Sequence, residues 1–422
     1  MVFKMKEKIK IGVLNKKDRW FVSSIFLEKN FYKNLSRFAD VIEIPFKDET
    51  KIDFKKLENL DLDYIYFNIM DCSFYPFLYR DLNQVNTPLI FITHTISPWI
   101  LHYILIAPLI RKDDVIINLS RFAQKQLNKV LNGFNSYIIN HSLDIDSIRK
   151  STSKIGHDSK TITYLGRVVE RKNVHGLINC LPAVKKAFPA FKLNIIGSLS
   201  GNKMGNKPSP YVKKLKRIIK KLQLEDNVNF LGVVSDSEKF KLLKKSRILV
   251  HPTLAIEEST IVVIAEAFAC GTPVICSYWA GAPEFIINNK NGFLIDVKWI
   301  KNKPKMNEKQ FTNSIIKILK DDDLFKRMSK NAEKSALNFD YKKNIPKIIG
   351  LLSKIKERNI ELRWNNIKNK KVKELKKLYN PNILDKFIRN LKFSDIKDVI
   401  ENRNEIRRRF YKKHFRYMSY QS

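Results

Sequence analysis

Short apolar segments rich in β-branched residues alternate with helix-like segments along most of this chain. Apolar runs of this length, bounded by polar residues, are typical of strands buried on both faces of a sheet. In the first part of the chain, strands are predicted at residues 9–14, 41–44, 64–69, 89–93, 115–119 and 137–139, and helices at 20–35 and 121–131. Ser120 is expected to cap the second helix. This alternation predicts an α/β fold with a parallel sheet covered by helices on both faces.

A polar stretch at residues 147–160 interrupts the alternation and is interpreted as a linker between two domains. Beyond it, strands are predicted at 161–165, 192–196, 228–231, 248–250 and 273–276, and helices at 176–188, 211–222, 237–244 and 261–270. From about residue 307 onwards the chain is expected to be helical or irregular. Two doubly wound units in succession should form a cleft, with a ligand outside the carboxyl ends of the strands.

The predicted organisation is two Rossmann-like domains, residues 1–155 and 156–300, that face each other across this cleft. Helices over residues 301–355 are expected to pack on the two domains. A basic helical extension is expected over 356–422, where 20 lysines and arginines stand against 8 aspartates and glutamates. The two α/β halves share architecture and not sequence, so they are not an internal repeat of the chain.

The charge of the chain requires an explanation in terms of its partners. Its 422 residues carry 79 Lys and Arg against 42 Asp and Glu, a formal net charge of +37 at pH 7. An excess of this size favours an anionic partner: nucleic acid, acidic lipid headgroups or a phosphorylated substrate. General enrichment in Lys, Asn and Ile is an alternative source of part of it. A hydrophobic fraction of 44% excludes collagen-like, coiled-coil and wholly disordered chains.

Cysteine usage and the N-terminus indicate a reducing compartment. The four cysteines form no CxxC pair and are interpreted as buried free thiols: Cys72, Cys180, Cys270 and Cys276. The basic N-terminus is interpreted as a first strand and not as a signal peptide, which favours the cytoplasm.

Residues 82–110 lack charged side chains and are long enough to span a bilayer. Three prolines and a β-branched run at 89–92 favour a strand and a short apolar helix instead.

A glycine and two cations follow the predicted strand 161–165. Gly166 permits a tight turn at the carboxyl end of the strand, and Arg167 and Lys172 stand five residues apart across that turn. Both can point into the cleft, where a guanidinium fork and an ammonium point charge suit a diphosphate. A solvated basic turn in a basic protein is an equally good interpretation of this segment taken alone.

Two glutamates eight residues apart frame the start of the predicted helix 261–270. Glu258 ends the loop after the preceding strand, and Glu266 lies about two helical turns further on, so both can lie on the cleft side. The free backbone N–H groups near Thr260 and Ile261 can receive a phosphate. A carboxylate on an otherwise apolar helix is costly to bury without a task, and the alternative, an exposed Glu266, fits its apolar neighbours poorly.

With this order and spacing, residues 161–297 resemble the nucleotide-sugar-binding half of retaining glycosyltransferases of the GT-B fold, family 4. The resemblance lies in the GR-x4-K segment at 166–172, the strand ends at 194–197 and 227–232, the E-x7-E block running into 267–275, and the segments at 281–286 and 291–295. The first half is similar more thinly, at 91–95, 115–120 and 140–144. The resemblance implies a GT-B fold, with residues 1–155 on the acceptor side and 156–300 binding the nucleotide sugar.

The resemblance also implies roles for individual residues. Arg167 and Lys172 would hold the diphosphate and stabilise its charge as it departs. Glu258 would face the transferred sugar, and Glu266 would bind the ribose hydroxyls. His94, from the opposite domain, would contact the sugar near the reacting carbon; a packed, structural histidine is the alternative. The remaining substrate-binding positions are Gly166, Gly197, Thr260 and Ile261.

This chain departs from the family pattern in two places. Glycines often follow the first glutamate in the family, whereas Ser259, Thr260 and Ile261 follow it here, which leaves the pose of the sugar open. The loop after the first strand also lacks the glycines common there, which leaves the acceptor side open. Glu257 adjoins Glu258, but the spacing to the second glutamate favours Glu258 as the first.

The residue types fit transfer of a sugar from a nucleotide diphosphate to a glycan or lipid-linked acceptor, with retention of anomeric configuration. Breaking a glycosyl–phosphate bond leaves negative charge on the diphosphate, which preorganised cations and helix N–H groups stabilise. Paired glutamates are usual in glycoside hydrolysis, but beside a phosphate-binding turn they favour transfer. The cleft loops contain no DxD-type cluster, since the acidic triplet 321–323 lies in a late turn. Neither a metal nor another cofactor is therefore expected to be required.

Two other functions remain as alternatives. The first is a non-catalytic basic binding protein that uses a GT-B-like scaffold to hold nucleic acid or acidic lipid. The second is a nucleotide-sugar epimerase or hydrolase of the same fold, which needs no glycan acceptor. Binding and consumption of a nucleotide sugar would separate both alternatives from a glycosyltransferase.

The last twenty residues suggest attachment to a surface. Within them, residues 407–418 interleave six cations with aromatic side chains at helical spacing, which is typical of binding to an anionic membrane surface. Packing of these aromatics on the first domain is the alternative. Nucleic acid is disfavoured because no recognised nucleic-acid fold accompanies the segment. The expected location is the cytoplasm, peripheral on the inner face of the cell membrane.

Overall fold

The computed structural model describes residues 8–16, 30–47, 52–68, 76–77, 80, 85–93, 109–129, 131, 133–201, 207–255, 258–301 and 303–357. Within them the chain forms two six-stranded parallel sheets and one two-stranded antiparallel sheet. The two Rossmann-like sheets confirm the fold class predicted from the sequence. The predicted helix at 20–35 is described only from residue 30, and the predicted extension at 358–422 lies outside the described residues.

The first sheet has the strand order β2-β1-β3-β4-β5-β6. Its strands are β1 (Lys10–Lys16), β2 (Asp40–Phe46), β3 (Tyr64–Asn68), β4 (Leu89–Thr93), β5 (Val115–Asn118) and β6 (Ser136–Ile138). All neighbouring strands pair in parallel. Helix α1 (Phe54–Glu58) precedes β3, and helix α2 (Arg121–Leu127) follows β5 with Ser120 as its cap. The apolar strands β3, β4 and β5 are buried along their whole length, as expected for central strands covered on both faces.

The second sheet repeats this plan with the order β12-β11-β10-β7-β8-β9. Its strands are β7 (Thr161–Leu165), β8 (Lys192–Ile196), β9 (Val228–Gly232), β10 (Ile248–His251), β11 (Val274–Ser277) and β12 (Gly292–Ile295). The strand order reverses at β7, which pairs with both β8 and β10. A crevice for a ligand therefore opens at the carboxyl ends of these three strands.

Most of the helices described in the second half begin at polar caps. They are α3 (Ile145–Thr152), α4 (Val174–Ala187), α5 (Pro210–Lys221), α6 (Asp236–Lys245), α7 (Val262–Ala269), α8 (Glu308–Lys320), α9 (Asp322–Ala336) and α10 (Tyr341–Glu357). Side chains that accept a hydrogen bond from a first-turn amide cap five of them: Asp144, Ser209, Ser235, Asn307 and Asp321. Strands β13 (Val297–Ile300) and β14 (Lys303–Met306) form the antiparallel pair.

The predicted linker at residues 147–160 was wrong in its first part, because α3 occupies residues 145–152. The apolar side chains Ile145 and Ile148 are buried with Thr152 on one face of this helix, and Asp144 caps its start. The polar residues between them lie on the outer face and made the segment resemble a loop. Strands β12, β13 and β14 had also not been predicted.

The last described helix returns to the first sheet. Helices α8 and α9 pack on the second sheet through Phe311, Ile315 and Met328. In contrast, α10 packs on the first sheet through Ile345 and Leu352, in the cluster that contains β1 and β3. The Tyr64 hydroxyl donates to the Leu352 carbonyl oxygen at 2.9 Å. One continuous C-terminal segment therefore touches both halves.

Three cysteines are described, and all three are buried free thiols, as predicted. Burial raises the pKa of Cys180, Cys270 and Cys276 to about 12, so these thiols stay protonated and unreactive near neutral pH. Cys72 lies outside the described residues. Among the helices that are described, none combines the length and the apolar character needed to cross a bilayer.

A buried ion pair lies next to the starts of β4 and β5 in the first sheet. The Arg80 guanidinium bonds to the Asp114 carboxylate, and both side chains are fully buried. Arg80 also donates to the Leu109 carbonyl oxygen at 2.7 Å, and Asp114 accepts from the amides of Leu89 and Arg111. The pair thus fixes the start of β4 to the turn before β5.

We predict that Arg80→Met destabilises the chain by about 3 kcal/mol, because Asp114 is left as a buried charge without its cation. Urea denaturation measures the loss, and Arg80→Met/Asp114→Asn should recover part of it. Lys326→Met is the control, since the Lys326–Asp323 pair is exposed on both sides and should contribute nothing measurable. Equal stability of Arg80→Met and the wild type would contradict this account.

Candidate functional site

Two glycines bring the ends of β7 and β8 into contact. Gly166 and Gly197 have φ values of +150° and +137°, which residues other than glycine rarely adopt. A Cβ atom on Gly197 would lie 2.1 Å from the carbonyl oxygen of Gly166, so the backbones could not approach with any larger residue. The turn after β7 therefore leaves the sheet beside the end of β8, at the mouth of the crevice.

The turn after β7 is held on both sides. It contains a short 3-10 helix, Glu170–Lys172, followed by Asn173 in the left-handed conformation (φ +56°) at the start of α4. The Tyr164 hydroxyl donates to the carbonyl oxygen of Arg167 at 3.0 Å. The amide of Leu254 donates to the Arg171 carbonyl oxygen at 3.0 Å and ties this turn to the loop after β10. Both predicted cations of the turn, Arg167 and Lys172, are thereby placed on a fixed backbone.

The structure brings Lys172 and Glu258 together, a contact that was not predicted from the sequence. Lys172 is 7% exposed, and its ammonium forms an ion pair with Oε1 of Glu258. Nε2 of His251 lies 4.0 Å from Oε2 of the same carboxylate. The pair joins the turn after β7 to the loop after β10, at the carboxyl end of the sheet.

His251 is a site residue that sequence reasoning missed. It ends β10, is 1% exposed and stacks on Tyr164 with the ring centroids 5.9 Å apart. Neither ring nitrogen makes a full hydrogen bond to the described residues. Burial, together with the ammonium of Lys172, holds the pKa of His251 well below its usual range. Its position at the end of a strand beside the predicted site was the available signal.

Glu266 is buried on α7 and has a cation of its own. It is 4% exposed, which rules out the exposed helix position considered from the sequence. Its Oε1 atom lies 2.7 Å from Nζ of Lys239 on α6, and this ammonium also lies 2.8 Å from Oδ1 of Asp236. Burial lowers the pKa of Lys239, but the two carboxylates outweigh it and raise the pKa above its usual value. The two predicted glutamates thus belong to two separate ion pairs.

The loop that carries Thr260 and Ile261 is tightly enclosed. Ser259 is 2% exposed, and a Cβ atom on Gly281 would lie 1.9 Å from its carbonyl oxygen. The Gly281 amide donates to the Glu258 carbonyl oxygen at 3.0 Å. Helix α7 starts directly after Ile261 and has no side-chain cap. Its first amides are therefore presented at the same end of the sheet as Lys172.

Some predicted positions lie outside the described residues. These are His94, Glu257 beside Glu258, and the segment 403–422 that was predicted to bind a membrane surface. Among the described residues, no group of three or more His, Cys, Asp or Glu side chains could hold a metal ion. The acidic triplet 321–323 forms the cap and first turn of α9.

The two facing sheets and the site at the end of the second define a protein of the GT-B class. The structure resembles that of Anabaena HepE in complex with UDP, with a TM-score of 0.64 over 82% of this chain and 100% of that chain. Sequence identity to HepE is 21%, so this likeness concerns the fold alone.

Residues 145–335 match the sequence profile of the family "Glycosyl transferases group 1". This match includes the whole segment 161–297 and confirms the resemblance predicted from its motifs. It is 28% identical to spore coat protein SA of Bacillus subtilis over 207 residues, 48% of this chain and 51% of that protein. It is also 28% identical to a GDP-mannose-dependent alpha-(1-6)-phosphatidylinositol monomannoside mannosyltransferase of Mycobacterium tuberculosis, over 32% of this chain and 34% of that protein. The chain thus spans about half or less of the curated relatives it matches.

The lowered pKa of His251 predicts a pH dependence of stability. A histidine that is kept neutral in the folded state binds its proton more readily when unfolded, so acidification favours unfolding. The free energy of unfolding should not depend on His251 at pH values above the unfolded pKa of about 6.5. At lower pH it should decrease, by up to about 1.4 kcal/mol per pH unit for this residue. Urea denaturation between pH 7.5 and 5.0 measures the slope. The slope should flatten in His251→Gln, and an unchanged slope would contradict a neutral, buried imidazole.

Proposed function

We propose that this chain is a retaining glycosyltransferase that moves a sugar from a nucleotide diphosphate to a glycan or lipid-linked acceptor. The observation that carries the proposal is the Lys172 ammonium, buried at the end of β7 and paired with Glu258. A buried lysine in a crevice between two α/β halves is suited to a ligand that carries phosphate and reaches the acceptor half.

The chemistry follows from the charges at this end of the sheet. When the glycosyl–phosphate bond breaks, positive charge develops on the sugar and negative charge on the departing diphosphate. Lys172 and Arg167 would stabilise the diphosphate, and the first amides of α7 would add hydrogen bonds without reorganising. Once the ammonium binds phosphate, Glu258 is released from its ion pair to face the sugar. Since these cations meet the charge of the leaving group, we propose that no metal or other cofactor is required.

Glu266 is proposed to bind the ribose hydroxyls of the nucleotide. A carboxylate accepts hydrogen bonds from two neighbouring hydroxyl groups when it is ionised and correctly oriented. Lys239 orients this carboxylate, because its ammonium lies 2.7 Å from Oε1 of Glu266 in a buried environment. We propose that Gly166, Gly197, Thr260 and Ile261 contact the donor through their backbone, and that His94 contacts the sugar from the first half.

The comparisons support a nucleotide sugar but leave its identity to experiment. HepE has structures with UDP and with UDP-glucose, whereas the mycobacterial relative is named for GDP-mannose and a phosphatidylinositol mannoside. We therefore propose a hexose as the transferred sugar and either a glycan or a lipid-linked glycan as the acceptor.

A panel of UDP-, GDP- and ADP-sugars, tested by thermal shift, checks the proposed function. The true donor should raise the melting temperature, since a ligand of the native state stabilises it. Lys172→Ala and Glu266→Ala should each weaken binding of that donor by about tenfold or more and abolish transfer.

Lys220→Ala, on the exposed face of α5, is the matched control and should bind the donor normally. Near-normal turnover in either site variant would refute the site assignment. Donor consumption without any acceptor would instead indicate the epimerase or hydrolase. If no nucleotide sugar binds and the chain retains only anionic polymers, the non-catalytic binding protein is the correct alternative.

We further propose that the enzyme is cytoplasmic and peripheral on an anionic membrane surface. The segment 403–422 was the predicted attachment, and α5 adds a second candidate among the described residues. This helix carries six cations and no carboxylate, and all six are exposed: Lys213, Lys214, Lys216, Arg217, Lys220 and Lys221. At about 100° per residue they cover one continuous half of the helix, opposite the buried Val212, Leu215 and Ile219. Such a surface suits acidic headgroups.

Neutralising part of this surface should weaken binding to vesicles. We predict that Lys213→Gln/Arg217→Gln/Lys220→Gln lowers affinity for phosphatidylserine-containing vesicles by about tenfold or more, given roughly 1 kcal/mol per cation near the surface. Co-sedimentation measures this, and deletion of 403–422 should lower the affinity further. The control Arg327→Gln/Lys330→Gln/Lys334→Gln removes equal charge from α9, which also carries three carboxylates. Equal losses in both triple variants would contradict a specific role of α5.

A further inference from the structure

Five residues form a contact between the two halves that the proposed chemistry does not use. We call this contact the clamp. Its members come from α2 and its cap in the first half and from the loops near β10 and β11 in the second: Ser120, Phe122, Ser259, Trp279 and Glu284. The clamp lies beside the loop that carries Glu258, so it bears directly on the site.

The polar part of the clamp is made by Ser120 of the first half and Glu284 of the second half. The Ser120 hydroxyl accepts from the Ala123 amide at 3.0 Å, as the cap of α2, and donates to the Ser259 carbonyl oxygen at 2.7 Å. The two oxygens of the Glu284 carboxylate accept from the amides of Arg121 and Phe122, at 2.7 and 2.5 Å. Ser120 is fully buried, so its bond to Ser259 is shielded from competition by water.

The apolar part of the clamp seals the same contact. Phe122 packs with Trp279 and Ala280, and Trp299 is packed against this cluster. The indole Nε1 of Trp279 donates to the Ala255 carbonyl oxygen at 3.1 Å. The Phe122 ring of the first half therefore packs against Trp279, which is hydrogen-bonded to Ala255 in the loop after β10.

Hydrogen bonds hold several described residues of this loop, and the clamp supplies one of them, just before α7. Within the second half, the Arg171 carbonyl oxygen accepts from the Leu254 amide, and the Gly281 amide donates to the Glu258 carbonyl oxygen. The Ser259 carbonyl oxygen is held from the first half by Ser120. The position of Glu258 and of the amides after it thus depends on how the two halves meet.

We propose that Ser120 and Glu284 are positioning residues that couple closure of the two halves to the geometry of the loop carrying Glu258. This inference rests on the proposed function for its catalytic consequence. When the clamp is formed, Glu258 and the amides before α7 are held in place for transfer. When it opens, Lys172 stays on the turn after β7 and Glu266 keeps its ion pair with Lys239, so a nucleotide can still bind while transfer cannot proceed.

Hydrogen exchange of the ligand-free full chain tests the coupling directly. Glu284→Gln should speed exchange at Arg121 and Phe122, and also in the peptide that contains Ser259 and Ile264, although Glu284 lies outside both segments. Ser120→Ala should speed exchange in the second peptide as well. The control Asn307→Ala removes a helix cap of the same kind from α8, away from the clamp, and should leave both peptides unchanged.

Kinetics with UDP-glucose as the probe test the consequence for catalysis. Each clamp variant should lower kcat by about tenfold or more and change KM for UDP-glucose by less than about twofold, since only the closed geometry is lost. The double variant should be little worse than either single one, because both act through one contact.

The results of the exchange and kinetic experiments can each support or overturn the proposed coupling. Unchanged exchange in the peptide around Ser259, or normal kcat in both variants, would overturn the proposal. A rise in KM without loss of kcat would place the residues in binding and would also overturn it. If the wild type neither binds nor consumes any nucleotide sugar, the proposed function fails. The exchange measurement still tests whether the clamp is coupled to the loop that carries Glu258.

Discussion

A lysine ammonium buried where strand ends converge is the constraint on which the rest of this site depends. Withdrawing such a group from water costs several kcal/mol, so a carboxylate must meet it, and Glu258 does. The backbone around the pair has a conformation that lets the lysine and the glutamate come together. Glycines at the ends of β7 and β8 allow the strands to close up, and Gly281 leaves room for the loop that brings the carboxylate. Buried pairs of this kind are weak evidence for stability.

The second buried pair extends the same logic along α7. Glu266 faces Lys239 from a helix whose other residues are apolar or small, so the carboxylate is paired with one ammonium and oriented by the helix. Together the two pairs place alternating charges at one end of a parallel sheet. The clamp then connects this end to the first half. The buried ion pairs and the clamp therefore involve different residues. Both include a residue of the loop after β10.

Much of the fold could be predicted because its strands are short, apolar and β-branched, and their spacing is local. Strands β4, β7 and β8 were predicted residue for residue. The errors occurred where local composition misleads. Helix α3 shows mostly polar residues to solvent and resembled a linker. Strands β13 and β14 are half exposed and rich in lysine, so they lack the apolar signal of a buried strand.

The sequence by itself determined the two α/β halves, the family of the second half and the pair of glutamates eight residues apart, because each depends on spacing within a few turns of chain. Only the tertiary structure decided which cation each glutamate meets and how the halves touch. Lys239 lies 27 residues from Glu266, and Ser120 lies 139 residues from Ser259. Contacts over such separations follow from how sheets and helices pack, and no local pattern of residues encodes them.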